Sequence, residues 1–168
     1  MHKCRALLDS GSQSNFITRQ LSDKLKLRYK TIDKTVLGIS DTPISALQQV
    51  NATIQSRTSA YQAKLPFLII DKITNRLPTS GINKDSFSIP KDLELTDPSY
   101  YIPGDIDLLL GASVFWELLG CKQIKSSKKA PILQETFLGW IISGNIQSSC
   151  THQHQYNTYC GLSTNTGI

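Results

Sequence analysis

The chain has 168 residues, of which 39% are hydrophobic and 18% charged, and its formal net charge is +5. That length suits one domain with a sizeable core, and the composition excludes an intrinsically disordered chain. No run of about 18 apolar residues occurs, which excludes a membrane-spanning helix, and the opening Met1-His2-Lys3-Cys4 lacks the apolar centre of a secretory signal.

The first element is a short strand. Ala6, Leu7 and Leu8 are too few for a helix and end in Asp9-Ser10-Gly11, so they read as a buried strand running into a tight turn. An acid at the end of a buried strand needs partners, and a turn rich in N–H groups and hydroxyls supplies them. Asp-Ser-Gly alone is most often an ordinary turn. The alternative makes Asp9 a catalytic carboxylate of the kind that shares a proton with a second acid. Since the strand begins almost at the first residue, the chain is expected to start inside a larger protein.

Thr18 then reads as the N-cap of a helix through Leu25, with Ile17, Leu21 and Leu25 on one face. From Thr31 to Arg57 the apolar residues fall at period two, which predicts a hairpin with its tip around Gly38 to Pro43. Gly38 beside Ile39 suits a mobile flap over a cleft, and equally a plain hairpin loop. Tyr61 to Ile70 is nearly continuous in apolar character and predicts a central strand. Residues 71–104 carry four of the prolines and too few apolar residues for a core, and they read as a long surface excursion.

Asp105 to Ala112 repeats the grammar of the opening: an apolar strand, Leu108-Leu109-Leu110, stops at Gly111 and is followed by a helix, Ser113 to Leu119. A glycine there allows close passage beneath another segment. Cys121 to Pro131 reads as a polar loop, and Ile132 to Ile142 as two short strands joined near Glu135 to Gly139. Residues 145–168 read as a polar linker or disordered tail.

The remaining charged and metal-ligating groups exclude more than they suggest. Lys122, Lys125, Lys128 and Lys129 lack interleaved aromatics, which argues against nucleic-acid binding by this segment. Cys4, Cys121, Cys150 and Cys160 contain no CxxC pair and read as reduced intracellular thiols. Cys150, His152, His154 and Cys160 hold potential zinc ligands, but their spacing matches no common zinc module, so a frayed tail is favoured. No metal or other cofactor is expected.

Taken in order, "CRALLDSGSQSNFIT", "VLGIS", "IDLLLGASVFWELL" and "LQETFLGWIISG" resemble the retropepsin-like aspartic peptidase domain of Pao/BEL-type retrotransposon polyproteins. The resemblance covers residues 4 to 144. It implies a mainly β fold, a closed barrel or sandwich with one or two short helices, spanning residues 1–144 with its first strand truncated. It makes Asp9 the catalytic acid, gives Ser10 a hydroxyl bracing role, and completes the triplet with Gly11. Gly38, Ile39 and Ser40 fall on the substrate-covering flap, and Leu109, Leu110 and Gly111 on the motif that supports the active-site loop from below. The chain contains one Asp-Ser-Gly, so the resemblance implies a homodimer in which two Asp9 residues form the dyad. The implied activity is endopeptidase cleavage of a retrotransposon polyprotein, in the cytoplasm or within retrotransposon particles. The alternative is a catalytically inactive, protease-like binding or dimerisation module.

Overall fold

The computed structural model describes residues 1–33, 48–127 and 130–144, together with the backbone of three further strands, 35–37, 43–45 and 162–167. The fold is mainly β. Twelve strands are described: β1 (Lys3–Leu8), β2 (Phe16–Thr18), β3 (Tyr29–Thr31), β4 (Thr35–Leu37), β5 (Pro43–Ser45), β6 (Gln48–Gln55), β7 (Gln62–Ile70), β8 (Leu108–Leu110), β9 (Leu119–Ile124), β10 (Ile132–Thr136), β11 (Gly139–Ser143) and β12 (Leu162–Gly167). Two short helices accompany them, α1 (Arg19–Lys24) and α2 (Ala112–Leu118).

Seven strands form one sheet in the order β12-β1-β8-β2-β7-β6-β3. No closed barrel is found among the described residues: β12, at one end of the sheet, meets β6, next to the other end at β3, at a single described pair, Gly167 and Gln55. The consecutive strands β1 and β2 are not neighbours. β8 lies between them, parallel to β1 and antiparallel to β2, and this insertion positions the candidate site.

Local chemistry explains these elements. Strand β6 alternates buried Val50, Ala52 and Ile54 with exposed residues, as a strand with one wet face should. The Thr18 hydroxyl caps α1 by accepting the Leu21 N–H at 3.3 Å, and Leu21 joins the core. The expected hairpin appears in part: β4 pairs with β5, Thr35 opposite Ser45, as a separate two-stranded sheet, whereas the rest of the returning stretch is β6, which pairs with β3 and β7. Strand β1 is buried along nearly its whole length. Cys4, Ala6 and Leu8 enter the main core with Ile17, Ile54, Phe67, Leu108 and Leu110, while Arg5 and Leu7 alternate to the opposite face.

Two stretches differ from their sequence readings. The polar run after Leu118 is strand β9, paired antiparallel with β10. None of its residues is buried, and it carries no apolar alternation to announce it. Within the stretch read as a polar tail, β12 pairs antiparallel with β1, Leu8 opposite Leu162 and Lys3 opposite Gly167. Leu162 to Gly167 shows no apolar alternation, so the pairing with β1 is not announced by the hydrophobic pattern.

The excursion, residues 71–104, has no separate core and contains one turn of 3-10 helix at Lys84–Ser86. It is not a loose loop. The Arg5 guanidinium, on a residue only 8% exposed, reaches into it from β1. Arg5 Nη1 donates to the carbonyls of Leu77 at 2.8 Å and Ile102 at 3.1 Å, and Nη2 donates to Ser99 at 2.9 Å. Arg5 Nε pairs with Asp97 Oδ2 at 2.9 Å. Gly104 completes the cradle, since a Cβ there would overlap Arg5 Nη1.

Candidate active site

The site is built from the turn that leaves β1 and from the end of β8. Asp9 follows the last residue of β1, and its N–H donates to Leu110 O at 3.0 Å across the β1–β8 pairing. Its carboxylate is held locally, Oδ1 accepting the Gly11 N–H at 2.9 Å. A negative oxygen on a backbone N–H at a tight turn is the arrangement that keeps a carboxylate at a strand end. Asp9 is half-buried, whereas Ser10 and Gly11 are exposed. Among the described residues the hydrogen bond to the carboxylate therefore comes from the Gly11 amide, with the Ser10 side chain at the surface.

Gly111 closes the site from below. Its N–H donates to Asn15 Oδ1 at 2.8 Å, and the next amide, Ala112, donates to Ser12 O at 2.7 Å. A Cβ on Gly111 would lie 2.7 Å from both Ser12 O and Ser14 O, inside van der Waals contact with backbone that has little room to retreat. The requirement is space, because the backbone of Gly111 (φ −79°, ψ −176°) is open to any residue. We expect Gly111→Ala to destabilise the fold by about 1–3 kcal/mol through overpacking. An unchanged midpoint in urea unfolding would remove this contact from the account of the site.

Of the other support residues, Leu110 is fully buried in the main core. Leu109 points to the opposite face of the short strand, against Phe16 and Leu68. The structure thus brings Asp9, Gly11, Leu110 and Gly111 together and leaves Ser10 at the surface. Gly38, Ile39 and Ser40, the expected flap, lie outside the described residues, as do Cys150, His152, His154 and Cys160.

Among the described residues no second acid pairs with Asp9. Asp107, the nearest acid of the β8 stretch, lies at the opposite end of the β1–β8 pairing, where its Oδ2 accepts the Arg5 N–H at 3.0 Å. Four residues of strand, about 13 Å, separate Arg5 from Asp9. Burial pushes the Asp107 carboxyl above the usual carboxylate range, and the Arg5 N–H opposes that shift. Among the described residues no group of three or more His, Cys, Asp and Glu could hold a metal ion. No helix among them is long and apolar enough to cross a membrane.

Sequence reasoning missed Asn15 and the Arg5–Asp97 pair. Asn15 is 8% exposed and Asp97 3% exposed. Arg5 carried a signal, a cation inside an otherwise apolar strand, but nothing in the sequence tells which acid 92 positions away receives it. Asn15 sits in a run of polar turn residues that look alike until one of them is buried.

No family model, curated protein or solved structure matches the chain.

Proposed function

We propose that the chain is an aspartic endopeptidase whose catalytic dyad forms from the Asp9 residues of two copies, acting on an extended segment of a retrotransposon polyprotein. The observation that carries this reading is the support of the acid-bearing turn by β8. Asp9 N–H bonds to Leu110 O, and Gly111 packs against the carbonyls of Ser12 and Ser14. A turn braced this way holds its carboxylate in one place, which general acid–base chemistry requires and an ordinary surface turn does not. The exposure of Ser10 and Gly11 supports the reading as well, because a second copy and a substrate must both approach that turn.

The chemistry follows from two like charges held close. They cannot both ionise, so the pair holds one proton. The ionised Asp9 takes a proton from a water, whose oxygen attacks the scissile carbonyl carbon. The protonated Asp9 gives its proton to the carbonyl oxygen, forming a tetrahedral diol. Collapse of the diol returns one hydroxyl proton to the Asp9 that had given its own, breaks the C–N bond, and sends the proton gained from water to the departing amine, which restores the pair. A substrate bound as an added strand presents its backbone to this pair.

The test combines association and turnover on the same samples: sedimentation equilibrium between about pH 4 and 7, with an apolar peptide library present and a pepstatin-type inhibitor as control. The expected result is a dimer whose cleavage is inhibitor-sensitive. A folded monomer that cleaves nothing overturns the reading and leaves a protease-like binding module.

A further inference from the structure

The turn between β1 and β2 is closed by a single peptide group. Leu110 O accepts the Asp9 N–H at 3.0 Å, and the N–H of the same planar unit, on Gly111, donates to Asn15 Oδ1 at 2.8 Å. The first and last residues of the turn thus grip opposite ends of one rigid plane. Asn15 is held in its own place from two further sides. Its Nδ2 donates to Pro66 O at 3.2 Å, and its backbone O accepts the Leu68 N–H at 2.9 Å. It is buried, so neither half of its amide is traded for water without cost.

We propose that Asn15 is a positioning residue for Asp9, acting through the Leu110–Gly111 peptide; its catalytic consequence rests on the peptidase reading above. Accepting the Gly111 N–H fixes the tilt of that plane. It also polarises the carbonyl at the other end, strengthening the bond that orients Asp9. The position demands an amide, because one side must accept from Gly111 while the other donates to Pro66. A carboxylate can only accept, and a leucine does neither. A protonated carboxylic acid does both, so Asn15→Asp mimics the native residue in acid and fails once ionised.

The test uses the full chain, labelled with nitrogen-15, as wild type, Asn15→Leu and Asn15→Asp. In Asn15→Leu the Asp9 and Gly111 amide signals are expected to shift, and the Asp9 amide to exchange with solvent at least about tenfold faster, while the core signals stay in place. The kcat falls by about tenfold to a hundredfold with KM nearly unchanged, the size of effect that misplacement of a reacting group produces. The ratio of Asn15→Asp to wild-type kcat rises toward one as pH falls, a pH dependence that a merely space-filling residue would not confer. Where Asn15→Leu does not fold, Asn15→Asp compared at acid and neutral pH carries the same amide measurement. An Asp9 amide that is unmoved and exchanges within about twofold of wild type, in a folded variant, overturns the proposal. The amide signals decide it even if the wild-type chain cleaves no peptide, an outcome that counts against the proposed function alone.

Discussion

Replacing Asp9 by Asn is expected to lower peptide turnover by at least about a thousandfold while leaving the fold and the association state unchanged. The two halves of that expectation have separate causes. The Asn side chain has the same shape, and its Oδ1 still accepts the Gly11 N–H that now holds the carboxylate at 2.9 Å. The Asp9 N–H is a backbone group and keeps its bond to Leu110 O. Nothing in the support of the turn depends on the charge, so thermal unfolding and sedimentation should match the wild type. The chemistry, by contrast, has no substitute. An amide neither takes a proton from water nor delivers one to the carbonyl, and no second acid is placed beside Asp9 among the described residues. A further consequence follows from the proposed shared dyad. Excess Asp9→Asn chain mixed with wild type should depress cleavage by drawing wild-type copies into mixed dimers, provided that subunits exchange. Full activity of the variant would remove Asp9 from the mechanism. Loss of activity with no depression on mixing would argue that each chain works alone.

What could be read in the sequence was whatever depends on local pattern. The helix capped by Thr18, the alternation of Val50, Ala52 and Ile54, and the strand–glycine–helix unit at Leu108 to Leu118 each announce themselves within a few residues. So did the need for a glycine at 111, since a strand that stops at glycine before a helix implies close passage, and Ser12 and Ser14 are what passes. The parts not legible share one feature: they depend on partners distant in sequence. Strand β9 has no buried residue, and it exists because β10 offers it a ladder. Strand β12 has no apolar signature and borrows its place from β1. Closure of the sheet was likewise beyond reach, because it turns on how far β12 runs beside β6, and the two meet at one described pair. The excursion offers no apolar pattern of its own, and much of what orders it lies outside its residues, in Arg5 on β1 and in Trp140 on β11, which exchanges backbone bonds with Glu94 and Thr96.

That arginine gives the second large effect. Arg5→Met should cost about 3–5 kcal/mol, because it removes the guanidinium from beside a buried acid and takes a donor from three carbonyls at once, of which Leu77 O keeps the Gly104 N–H and Ser99 O the Ile102 N–H. Asp97 is 3% exposed and has Arg5 Nε at 2.9 Å. Its other oxygen accepts the Ser99 N–H at 2.9 Å, which does not neutralise the charge. The carbonyls of Leu77, Ile102 and Ser99 lose their guanidinium donors in the same step. Methionine fills much of the volume, so the loss reports the charge and the hydrogen bonds more than a cavity. Against a typical total of about 5–15 kcal/mol, that brings the fold near its threshold. Arg5→Lys should recover little, because one ammonium cannot serve four acceptors spread around a planar fork. Asp97→Asn combined with Arg5→Met should be less destabilising than the sum of the single changes, since the two side chains are in direct contact, Arg5 Nε to Asp97 Oδ2 at 2.9 Å, and share that interaction. Urea unfolding measures all four chains, and limited proteolysis locates the damage: new cuts are expected within residues 71–104, whose anchor is gone, before any in β6 or β7. An Arg5→Met chain with a wild-type midpoint and an uncut excursion would mean that the excursion is held by its own contacts, with Arg5 a passenger in the cradle that Gly104 leaves open.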